Sequence, residues 1–86
     1  MLNDNTKKNL HRIKIIKGHL CAIEKMIMED RYCVDILHQS LAVQKALKKL
    51  DAQLMEGHLR HCVIEQAKKG QDNKIVDELI SIYNYK

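Results

Sequence analysis

Apolar residues recur along this chain at helical intervals. From Arg31 to about Lys69 a row runs through Leu37, Leu41, Leu47, Leu50 and Leu54, then into His58 and Cys62. Its steps are three or four residues, apart from the gap across Gln44, which marks a single helix stripe. The stretch holds no proline, and its only glycine is Gly57. An earlier row, Leu10, Ile13, Ile16, Leu20, Ile23 and Ile27, predicts a helix from about Asn5 to Met28, with Thr6 or Asn5 as its N-cap. Glu29-Asp30-Arg31-Tyr32 is a short polar connection that joins the two as an αα-hairpin. Gly70 suits a left-handed position just past a helix end. Beyond it, Ile75, Val76, Leu79, Ile80 and Tyr83 predict a third helix, capped by Asp72 or Asn73. Gly18, inside the first helix, fits either a close helix crossing or a plain surface position.

The pattern therefore predicts an all-α protomer of three helices with a long central one. At 1.5 Å per residue that central helix is roughly 55 Å long. A compact domain of this size has a radius of gyration of only about 12 Å. The chain cannot cover such a stripe by itself, so a partner must bury it.

Composition narrows the picture. The 86 residues suffice for one domain, 1–86. Hydrophobic residues make up 45%, the ordinary globular share, which argues against disorder. There is no Phe, Trp or Pro, and a helical core without large aromatics is thin, which again favours oligomerisation. The N-terminus has no apolar signal-peptide core, and no apolar run approaches a membrane span, so a cytosolic protein is expected. Three cysteines are an odd count and no disulfide framework; in a reducing compartment they suit structural, metal-binding or reactive roles. The net charge of +4 is a moderate bias toward polyanions, and equally the signature of ordinary surface lysine.

Three residues carry metal-ligand chemistry. His58 and Cys62 lie four apart, on one helix face, and can share an ion. Cys33 precedes His58 by 25 positions, roughly 37 Å along a continuous helix, and cannot join them within its own chain. If two copies of the long helix pair antiparallel, Cys33 of one meets His58 and Cys62 of the other, and the same pairing buries the stripe. Two thiolates and an imidazole form a soft set suited to Cu(I). Structural zinc normally takes a fourth ligand, which water or a neighbouring side chain could supply. The plainer reading is that a cysteine on an apolar face is a small hydrophobe, and a histidine near a helix end is solvated or capping. Cys21 and His19, two apart, point different ways on a helix, and His11, His38 and His61 have no partner cysteine at ligand spacing.

The segments RYCVDIL, AVQKAL and HLRHCV, with Cys33-x24-His58-x3-Cys62, closely resemble the copper-sensitive operon repressors. These belong to a wider bacterial group that includes nickel/cobalt, formaldehyde and persulfide sensors. The resemblance runs from about Leu10 to Leu79. It implies an antiparallel four-helix dimer core, a dimer of dimers, and binding of double-stranded operator DNA without a helix-turn-helix. Members differ at positions that here are Met1, Cys33, His58 and Cys62. Nickel and cobalt sensors have a histidine where this chain has Met1, and formaldehyde sensors a proline where it has Leu2. Persulfide sensors keep both cysteines but lack the histidine found here as His58. The copper pattern remains. Tyr32 and Glu78 match the tyrosine and glutamate that, in this family, link ligand occupancy to the rest of the tetramer.

Basic residues form two groups. Lys7, His11 and Lys14 follow helical spacing with Arg12 beside them, and Lys45, Lys48 and Lys49 lie together on the central helix. Charge runs are commonly solvated faces. The resemblance turns Arg12, Lys14, Lys48 and Lys49 into an expected DNA surface, because Arg12 and Lys49 match basic positions of the family. Asp51 departs from a further basic position, which bears on operator preference. The expectation is a Cu(I)-responsive repressor that binds its operator copper-free. Alternatives are a thiol- or other-metal-responsive repressor of the same fold, with Cys33 and Cys62 reacting across the dimer, or a non-regulatory metal-binding helical module. No acid–base pair, nucleophile triad or phosphate loop points to an enzyme.

Overall fold

A computed structural model describes residues 4–85. Met1 and Leu2, two of the positions that separate the sensor types, lie outside the described residues. The elements are α1 (Asp4–Met28), α2 (Cys33–Gly57), a π-helical turn (His58–Val63), α3 (Ile64–Lys68) and α4 (Asp72–Tyr83). Among the described residues there is no strand, so the expected all-α class holds. The long central helix is α2, the π turn and α3 in unbroken succession. No helix of the described residues is long and apolar enough to cross a membrane.

The helix ends follow from local chemistry, with some departures from expectation. α1 starts at Asp4, ahead of Asn5 and Thr6, so neither is its cap. It closes in a Schellman arrangement: Arg31 N–H donates to the Met26 carbonyl at 3.0 Å and Asp30 N–H to that of Ile27 at 3.1 Å. Asp30 takes the left-handed position, φ 54°, which Asp tolerates better than most residues. α2 starts at Cys33 rather than Arg31, and the Tyr32 carbonyl opens its ladder by accepting from Asp35 and Ile36 N–H. Gly70, at φ 71°, ends α3 in the same way as Asp30 ends α1, as its sequence position predicts. At α4 the cap position belongs to Gln71, whose carbonyl accepts from Ile75 N–H. Asp72 falls inside the first turn, where its charge suits the positive end of the helix dipole.

The chain forms two compact units, one ending at Leu54 and the other beginning at Met55, so the boundary falls within α2. In the first, α1 and the greater part of α2 form a helical hairpin. Its buried core is Ile16, Val43 and Leu50. The predicted central row thus divides. Leu50 turns into the hairpin with Val43, a residue outside that row. Leu37, Leu41, Leu47 and Leu54 remain 39–59% exposed on the single chain. Gly18 is on the surface, and a side chain there would meet nothing within 4 Å in its own chain.

In the second unit α4 packs back on α3, with Ile75 and Leu79 half-buried. Val76, Ile80 and Tyr83, which share its predicted stripe, stay exposed. The π turn has a sequence correlate. Leu50, Leu54, His58, Cys62 and Gln66 are spaced by four throughout. Four residues overshoot one α-helical turn, so such a row would wind around an ideal helix. The i→i+5 bonding of a π turn takes up that overshoot.

Candidate metal centre

The π turn His58–Val63 carries two of the three predicted ligands. Cys62 is a free, half-buried thiol. The His58 side chain is 25% exposed, with Nε2 3.9 Å from Glu78 Oε2 on α4. That distance is ion-pair range and too long for a hydrogen bond. Because Nε2 faces the carboxylate, Nδ1 is the nitrogen left for a metal.

Glu78 reaches this place because the Gly70 turn reverses the chain and lays α4 against α3. Its other oxygen, Oε1, accepts from Gln66 Nε2 at 3.5 Å and lies 3.9 Å from Lys74 Nζ. One carboxylate thus divides its two oxygens between His58 on one side and Gln66 with Lys74 on the other. The side-chain amide oxygen Oε1 of Gln66 is buried, with no donor among the described residues.

Cys33 is a free, exposed cysteine at the first position of α2, and Tyr32 beside it is 67% exposed. Both lie in the first compact unit, whereas His58, Cys62 and Glu78 lie in the second. Among the described residues, no three His, Cys, Asp or Glu side chains of one chain gather around a common point. The structure therefore brings together His58 and Glu78, with Cys62 in the same turn. The donor set as such, two thiols and an imidazole with its other nitrogen turned to a carboxylate, fits a soft monovalent ion.

Sequence reasoning missed Gln66 and Lys74. Both had a signal: Gln66 continues the four-residue row past Cys62, and Lys74 stands four before Glu78 on α4.

The basic residues of the expected DNA surface fall in the first unit. Lys7, Lys8, His11, Arg12 and Ile15 line an open groove on α1, without Lys14. Lys14, Lys48 and Lys49 are exposed and Arg12 half-buried; none of the four makes an ion pair with another described residue. Arg12 and Lys49 stand equally far in sequence from the Glu29–Tyr32 turn.

The family model for metal-sensitive transcriptional repressors matches residues 5–84. The chain belongs to this family. Its members are regulators, and the chain is not an enzyme. Among its relatives, the copper-sensing transcriptional repressor CsoR of Bacillus subtilis strain 168 is 41% identical over 73 residues, 85% of this chain and 72% of that protein. The CsoR of Mycobacterium ulcerans is 33% identical over 84 residues, 98% of this chain and 72% of that one. A crystal structure of the copper-sensing repressor CsoR with Cu(I), from Geobacillus thermodenitrificans, superposes with a TM-score of 0.89 at 32% identity. It covers 96% of this chain and 86% of its own.

Proposed function

We propose that this metal-sensitive repressor responds to Cu(I), held by Cys33 of one protomer and by His58 and Cys62 of a second. The observation that carries this reading is the imidazole of His58, which faces a carboxylate through Nε2 and shares a helical turn with a free, half-buried cysteine. A carboxylate behind a ligating histidine fixes its tautomer and raises its basicity. Similarity to copper-sensing repressors, one of them crystallised with Cu(I), supports the choice of metal. Zn(II) would need a fourth ligand, and the three-donor set favours Cu(I) over it.

Self-association belongs to the same proposal. Leu37, Leu41, Leu47 and Leu54 on α2 are exposed on the single chain, and so are Leu10, Leu20 and Ile27 on α1. A second copy laid antiparallel covers such a surface and brings Cys33 to the other chain's His58 and Cys62. The dimer core is then an antiparallel four-helix bundle, and pairing of dimers gives a homotetramer. Residues 1–86 act as one regulatory domain, in the cytoplasm where its DNA is.

The copper-free protein holds double-stranded operator DNA through Arg12, Lys14, Lys48 and Lys49, all cations without an acidic partner among the described residues. Cu(I) held by the thiolates and the imidazole would favour a conformation of low DNA affinity, with the Glu78 carboxylate behind His58 as the link to α4. Tyr32, adjacent to Cys33, belongs to the same outer shell. Linkage demands the converse, that DNA weakens Cu(I) binding by the same factor.

The test is an anaerobic titration with Cu(I), Zn(II) and a persulfide donor in separate arms. DNA selected for binding to the copper-free protein is followed by fluorescence anisotropy. Release by stoichiometric Cu(I) alone is the expected result. Release by persulfide alone would reassign the chain to thiol sensing through Cys33 and Cys62.

A further inference from the structure

We propose that Gln66 is a positioning residue of the sensor, holding the Glu78 carboxylate so that one oxygen stays available to His58. The inference rests on the copper reading above and adds to it a residue outside the ligand set.

Three observations carry it. The Gln66–Glu78 hydrogen bond joins two helices across twelve residues of sequence and is part-buried, whereas Gln44–Ser40 and Arg60–Glu56 are local, exposed bonds. It falls on Oε1, the oxygen that Lys74 also approaches, and leaves Oε2 toward His58. The amide is, moreover, held one way round. Turning it over would set its oxygen against a carboxylate oxygen, two acceptors with no proton between them.

The fourth consideration separates positioning from plain stability. The side-chain amide oxygen of Gln66 is buried, with no donor among the described residues. Native proteins pair nearly all such groups, and an apolar side chain here would remove the defect. A glutamine that leaves an acceptor stranded is a poor choice for stability alone. Its amide donor has a use that leucine cannot supply: it orients a carboxylate without neutralising it, so the other oxygen stays free to attract the imidazole.

The experiment compares full-length wild type with Gln66→Leu and Gln66→Met, measuring melting temperature, Cu(I) affinity, and operator affinity with and without Cu(I). A fourth readout, on copper-free protein, is the pair of ¹⁵N shifts of the His58 ring, which report its tautomer. The expected result is an unchanged or raised melting temperature and a loss of about tenfold or more in the copper-dependent change of operator affinity, the scale of outer-shell effects at metal sites. The His58 ring should also lose its preference for the proton on Nε2. Wild-type coupling together with a wild-type tautomer in both variants would overturn the proposal. So would failure of both variants to fold, since the amide would then be structural. If wild-type protein itself does not release DNA with Cu(I), the copper reading has failed. The tautomer readout, which needs no metal, then decides the role of Gln66 separately.

Discussion

His58 Nε2 and Glu78 Oε2 stand 3.9 Å apart, one on the π turn and one on α4. The contact is close enough for Coulomb attraction and about 1 Å too long for a hydrogen bond. It is thus a pair that a small movement can close. Glu78→Ala is expected to lower Cu(I) affinity about tenfold and to blunt operator release. Its effect on folding should be small, because the Glu78 side chain is 38% exposed and such pairs contribute below about 1 kcal/mol. A chelator competition and a melting curve on the same sample check both halves.

The inter-chain ligand set has a complementation test. A Cys33→Ala chain paired with a Cys62→Ala chain keeps one complete site and loses the other. Heterodimers should therefore bind one Cu(I) tightly, while each variant alone binds none with high affinity. Heterodimers without tight copper would overturn the inter-chain set, because a site built within one chain is incomplete in both variants.

Arg12 and Lys49, equally far in sequence from the turn between α1 and α2, are expected to contact backbone phosphate. Arg12→Ala with Lys49→Ala is expected to reduce the slope of log affinity against log salt by about 2, since each phosphate contact adds close to one unit. Cu(I) affinity should not move. Anisotropy titrations from low to physiological salt measure the slope, and Lys14→Ala with Lys48→Ala extends the series.

The two left-handed turn residues predict opposite outcomes. Gly70 sits at φ 71° and Asp30 at φ 54°. Gly70→Ala forces a side chain into that region and should destabilise the fold by about 1–2 kcal/mol. Asp30→Gly relieves the same conflict but adds freedom to the unfolded chain, so its net effect should stay within about 1 kcal/mol. Urea melts of the two variants test the contrast.

The exposed leucines of α2 make assembly testable. Leu37 and Leu41 are each 59% exposed on the single chain. Leu41→Glu should leave the helices intact by circular dichroism and shift the protein toward monomer in sedimentation. High-affinity copper should be lost with it, because the proposed site takes Cys33 from a second chain.

Much of this was legible in the residue pattern. Periodicity alone located the helical hairpin, the turn at Gly70 and the last helix, because a helix face repeats at a fixed interval whatever it packs against. The types and spacing of Cys33, His58 and Cys62 pointed to soft-metal chemistry for the same reason: donor softness belongs to the atom and not to the fold. Exact starts were less legible. Asn5, Thr6, Asp72 and Asn73 are good capping residues, yet α1 and α4 begin at Asp4 and Asp72, because a helix extends as far as its backbone bonds allow.

Tertiary structure decided what depends on distance between segments. Leu50 and Val43 rather than Leu54 enter the hairpin core, since the packing of α1 selects which part of a broad apolar face is covered. The π turn became visible only in the backbone, although a row of four-residue steps hinted at it. Above all, the meeting of Gln66, Lys74 and His58 at one carboxylate has no signature in local sequence. A side-chain network across two helices is set by where the Gly70 turn aims α4, and that direction is a property of the folded chain.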